Sequence, residues 1–572
     1  QARRLDVTRR LLSLTLPALD ESCGSPRSAR TLRGQTNCPM SNVNPGLSQT
    51  LILGAADVTA SESAVLKNRR LSRDERAYRF LGEAVQRLCD WLSCDFRQLA
   101  PQITDFMSVG PPVYSLTKYH DAMHKADALG LSGAHCHNID QGGASVPSAL
   151  ILSQALVQQN PQACVLIAGA DIPRNGFQGK ADYAILNQGV MHPEHEQPYG
   201  GNLIGFYAML AKKQMREHGI TQAELEAIAR HFHGRVQSNP RAANFEKEIT
   251  PKSMGKFFAA PYSTPMIAVA PAHAVATLVC GEAALPALQK FLRPPAGPLY
   301  VGHGATAHHA AYFSLKGDLA SPSRITGPLV LQRNGLRPSD VDYAWIYDCF
   351  VGMVIEQAAN YFGLPQKQCA ADLARGELRV PAGSCGADSP EHTIPINLGG
   401  GILNYQAAFM LSSGTGLLDI CSAHGLAADP LYDPADHFKS PPRIALLGGN
   451  GGIDTVNSLV PLSPRPFAPA MWNDGAHSPG QMRGVPPLRL NDPGKQVGDR
   501  GHIAYSTTVN YNTGGALKTP YVLALTRLTD GRLTLSNVIA NGEPLKSDAD
   551  LAPETPVTFV EHEGLVQAVL DS

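Results

Sequence analysis

Cysteine is present but unpatterned: eleven residues, no Cys-x-x-Cys pair, and none beyond Cys421. That spacing argues against a zinc site and against a disulfide framework, and fits a reducing, cytoplasmic setting. Long apolar runs are missing as well. The longest, such as Ala163–Gly169, are strand-sized, far short of the ~20 residues that a membrane-spanning helix needs. Neither sign of charge dominates, with 48 basic against 49 acidic residues and a formal net charge of -1. Such a balance offers no surface for nucleic acid or membrane, although a local basic groove for a phosphorylated cofactor is compatible with it. Hydrophobic residues reach 43% and charged residues 17%, the composition of a globular chain.

At 572 residues the chain exceeds one ordinary core and predicts two or three domains. Residues 1–39 stand apart, with seven arginines but also Asp6, Asp20 and Glu21. They read as an extension outside the fold rather than as a targeting signal. From Met40 onward strands and helices alternate. Thr50–Asp57, Ile103–Val109, Ala163–Ala168, Ala274–Cys280 and Leu299–Val301 read as strands. Glu75–Leu99, Ala144–Gln158 and Gln222–Gln237 read as helices. A second set follows: strand Asp342–Ile346, helix Val351–Phe362, strand Ile394–Asn397, a long helix from Tyr405, and strand Ile444–Leu447. Two such sets predict a duplicated α/β architecture of stacked mixed sheets with helical cover.

Residues 466–500 have the Pro-, Gly- and Asn-rich composition of a linker. Beyond them the pattern turns to β-type alternation over Gly501–Asn510, Tyr521–Leu528, Arg532–Ala540 and Pro556–Val560. Asp530-Gly531 and Asn541-Gly542 supply turns. A tail of four or five short strands predicts a small Greek-key β-barrel. The boundaries are therefore an N-terminal half at 40–300, a C-terminal half at 301–465, the linker, and a barrel at 501–572.

Six segments in order resemble the thiolase superfamily, in particular its sterol-carrier-protein-type branch. They are Ala144–Asp171, Leu203–Pro240 ending in HFHGRVQSNP, Tyr262–Cys280, Ile346–Phe350 (IYDCF), Asn397–Leu403 (NLGGGIL) and Leu447–Gly452 (LGGNGG). The tail, with PYVLALTRLTDGRLTLSNV, resembles the OB-fold domain that accompanies thiolase-like enzymes, without its zinc-ribbon cysteines. The resemblance implies acyl-coenzyme A as substrate, no metal, no nucleic-acid partner and a homodimer.

The motifs also depart from the thiolase pattern. A thiolase carries its nucleophilic cysteine at a helix N-terminus, where the dipole favours the thiolate. Here that position is Gly143, preceded by Gly142; the pair can form an oxyanion pocket or a plain tight turn. Cys136 lies seven residues upstream. Where a histidine precedes Asp-Cys-Phe in thiolases, Tyr347 stands, followed by Asp348, Cys349 and Phe350. This Tyr-Asp-x-Phe resembles that of thiolase-fold aldolases, in which the tyrosine is catalytic; its hydroxyl can donate to a thioester oxygen or act as acid or base. The plainer alternative is a tyrosine that ends a buried strand.

After Asn397 and the glycines Gly400 and Gly401, the histidine base is replaced by Ala407, with Tyr405 two residues earlier as a second tyrosine candidate. In the last glycine-rich turn Asn450 stands in place of the final cysteine, able to face an oxyanion or to hold a left-handed turn. His233 matches the loop-domain histidine that borders the coenzyme A site. His231 and His233, His308-His309, and His192 with His195 lack a metal-ligand pattern. Three functions compete: an aldolase-type carbon–carbon lyase using Tyr347 and Tyr405, with Gly143, Asp348 and Asn450 around the thioester; an acyltransferase using Cys136 or Cys349; and a binding protein that keeps only coenzyme A affinity.

Overall fold

The computed structural model describes residues 48–109, 120–172, 187–268, 270–310, 312–381, 391–406, 411–468, 494–511, 517–549 and 551–571. The extension at 1–39 and residues 469–493 of the expected linker lie outside them. In the first half, β1 (Thr50–Thr59), α1 (Arg73–Trp91), β2 (Asp105–Val109), α2 (Asp121–Leu129), β3 (His135–Ile139), α3 (Ser145–Gln159) and β4 (Cys164–Asp171) follow one another. A loop region then carries α4 (Leu203–His218), α5 (Gln222–Arg235) and the short strands β5 (Phe257–Ala259) and β6 (Tyr262–Ser263). Strand β7 (His273–Gly281) closes the half.

The second half contains β8 (Leu299–Val301), β9 (Ala305–His308), α6 (Ser323–Arg333), β10 (Tyr343–Trp345), α7 (Val351–Phe362) and α8 (Gln366–Leu373). The hairpin β11 (Glu377–Pro381) and β12 (Glu391–Pro395), helix α9 (Ser412–Ala423), β13 (Ala445–Gly451) and β14 (Val456–Ser463) complete it.

The expected duplication is written into the strand order. The first half runs β3-β2-β4-β7-β1, with β2 parallel to both β3 and β4 and with β7 antiparallel to β4 and β1. The second half runs β10-β13-β14-β8 with the same senses, and a parallel bridge from Ala344 to Ile396 sets the β12 side next to β10. Strands β1 and β8 pair, joining the halves. Each half places one helix between the layers: α3 touches β13 and β14, and α9 touches β1 and β13. The strands between them are buried along their length, as continuous apolar runs predict for sheets covered on both faces.

Two helix boundaries differ from the sequence reading. The first long helix stops at Trp91, because Ser93 adopts φ 51 and Asp95 caps a separate short helix, Phe96–Leu99. No long helix starts at Tyr405. A four-residue helix, Gly401–Asn404, ends there, and α9 begins at Ser412. Apolar content alone does not distinguish one helix from two.

In the tail, β15 (Arg500–Val509), β16 (Tyr521–Leu528), β17 (Leu533–Ala540), β18 (Glu543–Pro544), β19 (Pro556–His562) and β20 (Leu565–Leu570) follow. Strands β15-β16-β17-β20-β19 close back onto β15, a five-stranded ring with one parallel pair, β17 with β20. Its sheet continues into the loop region, since Val509 pairs with Ala259 and Asn510 donates to Phe258 O at 2.9 Å. Residues 47–572 form one compact unit.

Candidate functional site

Strand β10 delivers the Tyr347 segment. Just past its end the side chain of Asn397, itself at φ 50, grips Ile346 from both sides. It accepts from Ile346 N–H at 2.8 Å and donates to Ile346 O at 2.7 Å. The chain then turns into α7, whose Gln357 donates to the Tyr347 carbonyl at 2.8 Å. Tyr347 is buried. Burial drives its pKa well above the ordinary tyrosine value, with the acidic neighbours Cys349 and Asp348 adding to the rise.

The ring of Tyr347 lies against Gly143. A Cβ built on Gly143 would stand 2.5 Å from Tyr347 Cζ, closer still to Cε2, and 2.5 Å from the carbonyl oxygen of Asn450. No side chain fits there without a shift of the phenol or the backbone. Gly142 has φ +57 and packs on the β13 turn, its built Cβ 2.9 Å from Gly451 Cα. Neither α3 nor α9 has a capping side chain. The two helix starts meet here, with Val146 N–H donating to Ser413 Oγ at 3.3 Å. Tyr347 therefore sits at the positive ends of two helices.

Asn450 faces this site with its backbone. Its side-chain amide instead donates to Asp454 Oδ1 at 2.6 Å. Asp454, at φ 58, is held by the buried Lys316, which donates to its carboxylate at 3.0 Å and to its carbonyl at 2.6 Å. Ser321 adds a hydrogen bond at 2.7 Å.

Asp348 lies beneath the site. Ile402 N–H donates to its Oδ1 at 2.9 Å, while Oδ2 is buried without a hydrogen-bond partner. Burial raises its pKa to about 7. Gly401, at φ +62, is tight against this carboxylate, and Gly400, at φ +86, against Val236, the C-cap of α5. Residues with side chains would be strained at both positions. His233 reaches the end of the same loop, with Nδ1 3.2 Å from Asn404 Oδ1 and Nε2 2.5 Å from Lys247 O.

The structure thus brings Gly142, Gly143, Tyr347 and the Asn450 backbone together. Asp348, Gly400, Gly401 and His233 line the adjoining loop. Tyr405 belongs to another cluster: its hydroxyl donates to Asp57 Oδ2 at 2.7 Å, and Asp57 also meets His273 at 2.9 Å and Arg241 at 2.5 Å. Cys136 is on the edge strand β3. Cys349 is buried, and burial pushes its pKa up.

Sequence reasoning missed the start of α9, where Ser413 Oγ accepts from Val146 N–H. Ser412 opens α9, the second-half counterpart of α3, so the duplication itself pointed to the SSGTG run as a second helix start.

Among the described residues, no group of three or more His, Cys, Asp or Glu is arranged to hold a metal. Nor is any described helix long and apolar enough to cross a membrane. No protein-family profile matches the chain, and no curated protein matches its sequence.

Solved structures do match. A monomeric SCP2-thiolase like protein type 1 from Mycobacterium smegmatis aligns over 91% of this chain and 99% of its own, at 15% identity and TM-score 0.59. The Ltp2-ChsH2(DUF35) aldolase aligns over 73% of this chain and 98% of its own, at 17% identity and TM-score 0.53. The chain has the thiolase fold.

Proposed function

We propose that the chain is an acyl-coenzyme A enzyme that makes or breaks a carbon–carbon bond by an aldol-type reaction, with Tyr347 in place of a thiolase cysteine. One observation carries this reading: the Tyr347 ring occupies the space that a side chain at Gly143 needs. A covalent acyl-cysteine at 143 has no room, and the group presented at the start of α3 is a phenol.

The phenol keeps its proton at neutral pH because burial raises its pKa. In the cleavage direction, the Cα–Cβ bond of a β-hydroxyacyl-CoA breaks and its electron pair passes into the thioester as an enolate. The hydroxyl proton must end on the α-carbon. A neutral phenol serves both needs, giving its own proton to the enolate carbon and taking that of the hydroxyl, and ends unchanged. Backbone N–H groups at the α3 start, supported by its dipole, stabilise the enolate oxygen. Tyr405 is committed to Asp57, so the relay falls to Tyr347 alone. His233, Gly400 and Gly401 border the coenzyme A side in this reading. The likeness in fold to an aldolase supports it, as does the tail fused in cis.

Cys349 is a poor nucleophile, since its thiol is buried and pushed up in pKa. The test is product analysis by mass spectrometry with short β-hydroxyacyl-CoA and β-ketoacyl-CoA panels, with and without free coenzyme A. Release of a shorter acyl-CoA and a carbonyl compound from the hydroxyacyl panel, without added coenzyme A, supports the reading. Cleavage of ketoacyl substrates alone, dependent on free coenzyme A, contradicts it.

A further inference from the structure

Two free cysteines meet where helix α1 ends. The helix closes on a left-handed residue, Ser93 at φ 51, whose N–H donates to Asp90 O at 3.1 Å. Cys94 N–H then donates to Cys89 O at 2.9 Å. This pair of bonds sets the side chain of the second residue past the cap against that of the third residue from the helix end. Here both are cysteine. The 2.9 Å bond also keeps their Cα atoms within about 7 Å, and a disulfide spans about 4.4–6.8 Å. Cys94 turns inward, packing against the apolar cluster that contains Cys89. Cys89 is buried and Cys94 half-buried. The turn is held on both sides. Leu92 O accepts from Arg293 N–H at 2.7 Å, and Asp95 caps the next short helix through Arg97 N–H at 2.8 Å.

We infer that Cys89 and Cys94 form a redox-active dithiol, oxidised to an intramolecular disulfide by a small-molecule disulfide of the glutathione class. Cys94, the half-buried member, reacts first. Its thiolate attacks one sulfur of the small disulfide, a mixed disulfide forms, and one thiolate leaves. Cys89 then attacks the Cys94 sulfur, and its proton passes to the departing second thiolate. Two protein thiols are oxidised and one small disulfide is reduced to two thiols. Another cysteine pair shows why exposure decides. Cys164 and Cys280 face each other across β4 and β7. Gly281 N–H donates to Ala163 O at 2.9 Å, the pattern of a non-hydrogen-bonded pair with Cα atoms about 4.5 Å apart. Both residues are buried inside the sheet, so a reagent does not reach them in the folded chain. Helix α1 covers the face of the first sheet opposite α3, so the dithiol stands apart from Tyr347 and its oxidation leaves that site untouched.

The test is to expose the full chain to mixtures of oxidised and reduced glutathione, quench with acid, alkylate the remaining thiols and map tryptic peptides by mass spectrometry. Both thiols fall in one tryptic peptide, Leu88–Arg97. The expected product is that peptide short of two hydrogens and alkylated at neither cysteine, restored by dithiothreitol. In Cys89→Ala the glutathione adduct on Cys94 is expected to accumulate at least about tenfold over wild type, because no second thiol displaces it. Removing a buried sulfur can disturb the helix end, so Cys94→Ser, at the half-buried position, is the second variant. In it Cys89 is expected to stay reduced and free of glutathione. A glutathione adduct on Cys94 as abundant in wild type as in Cys89→Ala overturns the proposal. So does oxidation of Cys164 and Cys280 ahead of this pair, or a Leu88–Arg97 peptide still fully reduced in oxidised glutathione alone.

Discussion

Tyr347 and Gly143 share one volume: a Cβ on Gly143 would stand 2.5 Å from Tyr347 Cζ and nearer to Cε2. The two positions have exchanged bulk, with the side chain on the strand end and bare backbone at the helix start. Gly143→Ala is therefore expected to destabilise the chain by about 1–3 kcal/mol through overpacking, and Gly143→Cys by at least as much, without gaining thiolase turnover. Tyr347→Ala in the same chain should relieve much of the Gly143→Ala cost. Denaturant midpoints of the two single variants and the double variant check this.

Asn397 is expected to be the most costly of the buried amides near the site. Its side chain satisfies both the N–H and the carbonyl of Ile346. Asn397→Ala leaves both buried groups unpaired, a loss of about 2–4 kcal/mol. Urea unfolding measures it directly.

Asp348 gives the pH dependence a sign. Its pKa is about 7 in the folded chain, against about 3.9 when unfolded. Between those values the folded state binds more protons than the unfolded one, so stability falls as pH rises from about 4 to about 7. Buried Asp419, pushed up to about 6, and buried Glu356, also raised, contribute in the same direction. Asp348→Asn is expected to flatten this decline by about 2–4 kcal/mol across the window. Unfolding midpoints at successive pH values give the slopes.

Thiol reagents should leave turnover largely intact. Cys349 is buried and its thiol is shifted up, whereas Cys94 and Cys136 are half-buried. Brief iodoacetamide treatment is expected to label Cys94, whose thiol the Cys89 hydrogen bond shifts down, well before Cys349. Peptide mapping alongside the activity assay checks the order.

The fold was legible because its largest signals are long-range in sequence but simple in kind. Alternating strands and helices repeated in two sets, and β-type alternation followed a Pro-rich break. The strand orders of the two halves and the closed ring of the tail answer to those signals. Motif order singled out Gly143 and Tyr347, yet not their contact, because a ring filling a missing Cβ is a property of packing between residues 204 positions apart. Tyr405 shows the limit most clearly. Its distance along the chain from Gly401 suited a site residue, but the turn after Asn404 aims its hydroxyl at Asp57 on β1, and no local pattern encodes that turn. The Asn450 amide likewise points to Asp454 rather than to the site.

If the Tyr347 hydroxyl carries the proton in carbon–carbon cleavage, wild type and Tyr347→Phe must differ on β-hydroxyacyl-CoA substrates. Wild type is expected to release a shorter acyl-CoA, and the phenylalanine variant to lose about 100-fold or more in kcat with an unchanged unfolding midpoint. Cleavage by Tyr347→Phe at the wild-type rate would contradict it.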